Sequence, residues 1–98
     1  METTIINLKF KKKPKDNYVY IGRGSKWGNP FKIGTDGSRE QVIGKYEEWI
    51  RTQPDLLNSL HELRNKILGC YCVPLSCHGN ILIELIEELD RNGEINKG

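Results

Sequence analysis

The stretch Lys66-Ile67-Leu68-Gly69-Cys70-Tyr71-Cys72 decides the fold. Its alternation sends Leu68, Cys70 and Cys72 to one side and Ile67, Gly69 and Tyr71 to the other, the two-residue period of a β-strand. Both sets are apolar, the pattern of a central strand covered on two sides. Val73 to Ser76, with Pro74, reads as a turn. From Cys77 or His78 the period lengthens: Ile81, Leu82, Leu85, Ile86 and Leu89 form one helical stripe, while Glu84, Glu87 and Glu88 face water. Gly93 stands where a C-terminal cap belongs, and the residues after it are expected to fray.

Working back from that strand, Leu56, Leu57, Leu60 and Leu63 predict an amphipathic helix opened by Pro54. Before it, Ser38-Arg39-Glu40-Gln41 has the form of a capping box, a hydroxyl at the cap and an amide three residues on. Val42, Ile43, Tyr46, Trp49 and Ile50 then make one apolar helical face. Gly22 to Gly37 holds five glycines and one proline with little periodicity, so it is a long loop whose aromatic residues argue for order. Ile5 to Phe10 and Tyr18 to Ile21 are two short strands separated by a Lys/Pro/Asp/Asn cluster, which suggests a hairpin. The order β-β-α-α-β-α predicts an α/β (or α+β) fold: a small three-stranded, mixed sheet with about three helices. A strand, helical crossover and strand favour a parallel pair, and ligands collect beyond the carboxyl ends of such strands. Gly22 and the segment Val73 to Gly79 each follow a strand, so they are expected to converge.

The 98 residues, 37% hydrophobic, suffice for a single domain over residues 1–98 with a core from about 4 to 92. A formal charge of +2 from 15 basic and 13 acidic residues excludes a general DNA coat protein and disfavours nucleic acid as a partner. The run Lys9-Phe10-Lys11-Lys12-Lys13-Pro14-Lys15 reads as a solvated turn, with an anion or nucleic-acid contact as the alternative. No stretch approaches the ~20 apolar residues of a membrane span, and the N-terminus lacks signal-peptide character. The three cysteines lie within eight positions and staple nothing distant, so a reducing cytoplasm is the expected location. Apolar helices in so small a domain leave room for a homo-oligomer.

The loop Gly22-Arg23-Gly24-Ser25-Lys26-Trp27-Gly28-Asn29 is rich in anion-binding chemistry. Its glycines expose N–H groups that can turn together toward an anion. Arg23 adds a fork of donors, Ser25 a hydroxyl, Lys26 a mobile charge, Asn29 a group for a base edge or ribose, and Trp27 a stacking surface. The spacing matches neither the dinucleotide fingerprint nor a P-loop. The architectural alternative makes the glycines plain turns and sinks Trp27 and Phe31 into the core.

Cys70-x-Cys72-x4-Cys77-His78 offers four soft-metal ligands. Adjacent Cys77 and His78 would have to reach one ion from consecutive positions, so no cofactor is favoured, with zinc held by Cys70, Cys72, Cys77 and His78 as the alternative; His61 is a substitute ligand. As catalytic candidates, Cys77 at a helix start has its thiolate favoured and His78 beside it can serve as base or acid. Otherwise Cys70 and Cys72 are small buried hydrophobes, Cys77 and His78 cap the helix and line a pocket, and the amides of His78, Gly79 and Asn80 suit a phosphate.

Tyr20-Ile21-Gly22-Arg23, Trp27-Gly28-Asn29-Pro30-Phe31, Leu63-Arg64 and Leu68-x-Cys70-Tyr71-Cys72-x-Pro74-x-x-Cys77-His78-Gly79 together resemble the family called domain of unknown function 4326, over roughly residues 18 to 90. The resemblance implies a bacterial, phage or large-virus setting and no established activity. It also implies that a glycine often stands where this chain has Asn65, and an acidic residue where it has Asn80.

The leading functional expectation is binding of a phosphorylated, nucleotide-like small molecule by Gly22 to Asn29 with His78 and Gly79, with sequestration of a nucleotide signal as one use. An enzyme acting on a nucleotide or nucleotide sugar through Cys77 and His78 is the second. A small zinc domain touching nucleic acid through Lys11 to Lys15 is the third.

Overall fold

The structure is a computed structural model that describes residues 3–9, 11–71 and 78–93. Strands β1 (Thr4–Asn7) and β2 (Tyr18–Tyr20) precede helices α1 (Arg39–Ile50) and α2 (Pro54–Asn58), a 3-10 turn at Leu60–Leu63, strand β3 (Ile67–Cys70) and helix α3 (His78–Asn92). The turn expected at Val73 to Ser76 and the frayed tail lie outside the described residues.

The α/β class is as expected, but the sheet is wholly parallel rather than mixed. β3 lies between β1 and β2, pairing Ile5 with Leu68 and Val19 with Leu68 in the same direction. β1 and β2 each pair with β3 and not with each other as the expected hairpin would. The chain leaves β1 at the carboxyl end of β3, where the Leu8 N–H donates to the Cys70 carbonyl at 2.8 Å. It re-enters at the opposite end, where the Ile67 N–H donates to the Asn17 carbonyl at 2.6 Å, with Asn17 itself at φ 56°. A four-residue strand is only about 13 Å long, so the Lys/Pro-rich connection can return along it without a helix. Local composition marked the strands; the long connection decided their direction.

Ile21, Leu68 and Cys70 face the helices and are buried with Tyr46, Ile50, Leu60, Leu63, Leu82 and Leu85. The opposite side of β3 is covered differently. A Cβ on Gly69 would sit 2.5 Å from the Tyr18 hydroxyl oxygen, so the missing side chain is what lets the Tyr18 ring lie across the central strand. The second apolar face predicted for β3 is thus met by a phenol ring.

The capping box forms: Ser38 Oγ accepts from the Gln41 N–H and Gln41 Oε1 accepts from the Ser38 N–H. At the other end of α1, Arg51 donates to both oxygens of Glu88 at 3.0 Å and to Glu47 at 3.1 Å, clamping α1 to α3. The helix expected over Leu56 to Leu63 is split in two at Ser59. Asn65 stands at φ 60°, the left-handed region where glycine is easiest and asparagine is tolerated, which explains the glycine expected there from the family. Gly93 closes α3 at φ 74°, its N–H donating to the Leu89 carbonyl. Among the described residues no helix is long and apolar enough to cross a membrane.

Candidate functional site

Because all strands run parallel, the chain leaves β2 and β3 at the same edge, and the described ends of the two conspicuous segments, Gly22 and Arg23 on one and Cys70 and His78 on the other, meet there. The Ile21 N–H donates to the Gly69 carbonyl, extending the pairing past β2. The loop then folds on itself. The Ser25 N–H and hydroxyl both donate to the Gly22 carbonyl, at 3.1 and 2.7 Å, and the Gly28 N–H donates to the Ser25 carbonyl. A Cβ on Gly28 would be 2.8 Å from the Gly22 carbonyl oxygen, a backbone atom that cannot swing aside.

Trp27 is 2% exposed and lies in the core, where its carbonyl accepts the Tyr46 hydroxyl at 2.7 Å. It therefore has no face left for a ligand. Asn29 is likewise engaged: Nδ2 donates to the Val42 carbonyl at 3.1 Å and Oδ1 accepts the Phe31 N–H. Those bonds pin the loop to α1. Lys26 points elsewhere, pairing with Glu62 at 2.8 Å on the surface, and this pairing holds the Glu62 carboxyl below its ordinary range. Gly24 faces open space.

A cleft of about 360 Å³ opens at this edge. Of the residues singled out in the loop, Gly22, Arg23 and Asn29 line it, joined from β3 and α3 by Cys70 and His78. Gly24, Ser25, Lys26, Trp27, Gly28 and Gly79 are absent from its walls; Gly79 instead seats the first turn of α3 against Ile21 and Ile5. Arg23 is exposed and has no hydrogen-bond or ion-pair partner among the described residues.

His78 is 7% exposed, and its Nε2 lies 2.7 Å from the Ile21 carbonyl oxygen. That oxygen only accepts, so Nε2 carries the hydrogen. The Tyr46 ring meets the imidazole edge-on, with centroids 5.0 Å apart. Burial holds the His78 pKa below its ordinary value, while the bond to Ile21 and the nearby Cys70 act weakly the other way. The neutral ring bolts the exit of β2 to the start of α3. One nitrogen is committed to structure, which leaves His78 a poor general acid at that atom.

Cys72 and Cys77, the other catalytic and metal candidates, lie outside the described residues. Among the described residues no three His, Cys, Asp or Glu side chains are grouped to hold an ion. His61 is exposed on the 3-10 turn, its Nδ1 3.0 Å from the Asn58 carbonyl oxygen. Asn80 is exposed in the first turn of α3 and is not among the residues lining the cleft.

The remaining walls are Tyr20 and Tyr71, from segments whose patterns predict strands, Arg39, Val42 and Ile43 of α1, and Phe31 and Ile33 of the long loop. Arg39 is the first residue of α1, where a cation opposes the helix dipole, and Glu40 beside it complements that dipole. Phe31 is held from outside by Lys45, whose Nζ lies 5.9 Å from the ring centroid.

The sequence model of the family described as domain of unknown function 4326 matches residues 6–88. An uncharacterised protein of Acanthamoeba polyphaga mimivirus is 37% identical over 91 residues, covering 74% of this chain and 69% of that protein. An uncharacterised 12.4 kDa protein from the nrdA-td intergenic region of Enterobacteria phage T4 is 37% identical over 76 residues, covering 72% and 68%. No solved structure matches the chain significantly.

Proposed function

The chain belongs to the family of domain of unknown function 4326, and we propose that its cleft binds a phosphorylated, nucleotide-like small molecule. The observation that carries this reading is the pairing of two arginines from separate elements, Arg23 and Arg39, with Tyr20, Phe31 and Tyr71 around one opening. Guanidinium groups suit phosphate, and aromatic faces suit a base. The N-terminus of α3 at His78 adds a favourable partial charge at the same edge. Its volume, about 360 Å³, is at the small end of ligand sites, which run from ~300 to ~1,000 Å³. The engagement of His78 with Ile21 favours holding the ligand over transforming it. With relatives in a phage and a giant virus, sequestration of a host nucleotide signal is a use that fits.

The test is thermal unfolding against mononucleotides, cyclic dinucleotides and ADP-ribose derivatives. A ligand at a hundredfold excess over its Kd adds ~2.7 kcal/mol of stability. Arg23→Ala should abolish the shift while leaving the ligand-free protein within about 0.5 kcal/mol of the parent, because Arg23 is exposed and unpaired among the described residues. Arg39→Ala should abolish it as well. A panel that shifts nothing overturns the reading.

A further inference from the structure

Three tyrosines gather on the sheet face opposite the helices. Tyr18 and Tyr20 share that face by alternation along β2, and Tyr18 lies across Gly69. Tyr71, two residues beyond Gly69, is 63% exposed. The Tyr18 hydroxyl is held above its ordinary pKa first by burial and then by Tyr71 and Tyr20, so each of those two lies within electrostatic reach of Tyr18.

Lys13, in the connection between β1 and β2, comes onto the same face. Lys13 Nζ lies 5.5 Å from the centroid of the Tyr18 ring. Lys11, Lys12, Lys13 and Lys15 are all exposed, and none has an acidic partner among the described residues. With a net charge of only +2 over the whole chain, this concentration of cations is a local feature. Crowding like charges costs free energy that a polyanion would recover by shedding its counterions. Rings beside cations give the two contacts a flexible strand needs: stacking for its unpaired bases and charge for its phosphates.

We propose that this face binds single-stranded nucleic acid, with bases stacking on Tyr71 and Tyr20 and phosphates running along Lys11 to Lys15. The bases of a duplex are already stacked on one another, so a duplex gains only the charge contacts. Tyr20 and Tyr71 also border the cleft, so the two surfaces share these rings. The lysines belong to the strand surface alone, and they are what separates the two proposals.

Fluorescence anisotropy with labelled oligo-dT and oligo-U of about ten nucleotides, and with a duplex of equal length, tests it. Both single strands should bind, and the tighter of the two identifies DNA or RNA as the source. If four lysines each release ~0.7 counterion, affinity should fall about fiftyfold for a fourfold rise in salt. Changing Lys11→Ala, Lys12→Ala, Lys13→Ala and Lys15→Ala together should weaken binding about tenfold or more and flatten the salt dependence. Tyr71→Ala should weaken it about fivefold or more at constant salt, and Tyr71→Phe should restore it. Absence of binding, equal affinity for duplex, or indifference to Tyr71→Ala overturns the proposal. So does a dimer that Tyr71→Ala dissolves in a protein that binds no oligonucleotide, since the face then serves a second copy of the chain. The fourfold lysine variant should retain any nucleotide-induced thermal shift, so failure of the strand surface and failure of the cleft are read separately.

Discussion

Residues 22–30 and 31–39 both contribute walls to the cleft, yet they are held in opposite ways. The first segment is anchored inward: Ser25 and Gly28 close its turns, Trp27 is buried, and Asn29 is bonded to α1. The second closes mainly on its own surface. Lys32 and Asp36 bond each other, the Gly34 N–H donates to the Gly37 carbonyl, and both glycines take positive φ, at 92° and 136°. Its tie to α1 includes the exposed Lys45, which donates to the Asp36 carbonyl at 2.6 Å, and Ile33 stands 52% exposed. The residues that make the first loop conspicuous in sequence are mostly those that build it. The plainer second segment supplies Phe31, Ile33 and Arg39 to the cleft walls.

The largest effect should come from breaking the inward anchor. Trp27→Ala removes a core side chain beneath the loop, and such truncations cost ~3–5 kcal/mol. In a domain whose total stability is of the order of 5–15 kcal/mol, that change removes from about a fifth of the stability to all of it. Urea unfolding followed by far-UV circular dichroism measures it. A loss below about 1 kcal/mol would mean that the loop does not depend on the core and would erase the contrast between the walls.

A smaller effect, graded by pH, belongs to the joint between the first wall and α3. Burial keeps His78 below its ordinary value of 6.5 in the folded protein. Above that pH the ring is neutral in both states and the stability it allows is complete. As pH falls below 6.5 the unfolded chain takes up a proton that the native chain refuses, so stability declines until the lower native value is reached. One proton contributes no more than ~1.4 kcal/mol per pH unit. Glu62, held low by Lys26, acts only in a more acidic window, below its ordinary 4.5. Urea midpoints between about pH 5 and 7 should therefore fall on acidification, and His78→Gln should flatten that dependence. A flat profile in the parent protein would show that His78 is not shielded as the geometry requires.

Why some of this was legible and some was not follows from the range of the interactions. The capping box at Ser38 and Gln41, the stripe of α3 and the central position of Ile67 to Cys70 rest on contacts within a few residues or on burial periodicity, and both are written locally. The direction of β1 and β2 depends on how a ten-residue connection returns along the sheet, which composition does not encode. The same division runs through the site. Arg23 and His78, which line the cleft, stand out in the sequence because their neighbours are unusual. Tyr20, Phe31 and Tyr71 line it too but do not stand out, because strand and core positions use aromatic residues routinely and only the parallel topology brings those three to one opening.

The smallest expected effect is the sharpest test of the comparison, because it separates two cations three positions apart on the same loop. Arg23 faces the cleft, whereas Lys26 reaches 2.8 Å to Glu62 on the surface and passes 5.3 Å from the centroid of the Trp27 ring. Both side chains of that pair are about half exposed, at 49% and 46%, so solvent and salt screen it and its loss should barely move stability. A loop that worked as a generic basic cradle would lose ligand affinity from either position. A loop built as scaffold with one outward arginine would lose it from Arg23 alone. Lys26→Ala should therefore keep both the unfolding midpoint and the ligand-induced thermal shift of the parent protein, at low and at physiological salt. If the shift shrinks as much for Lys26→Ala as for Arg23→Ala, the charge of the loop acts as a whole and the two walls are less distinct than their hydrogen bonds imply.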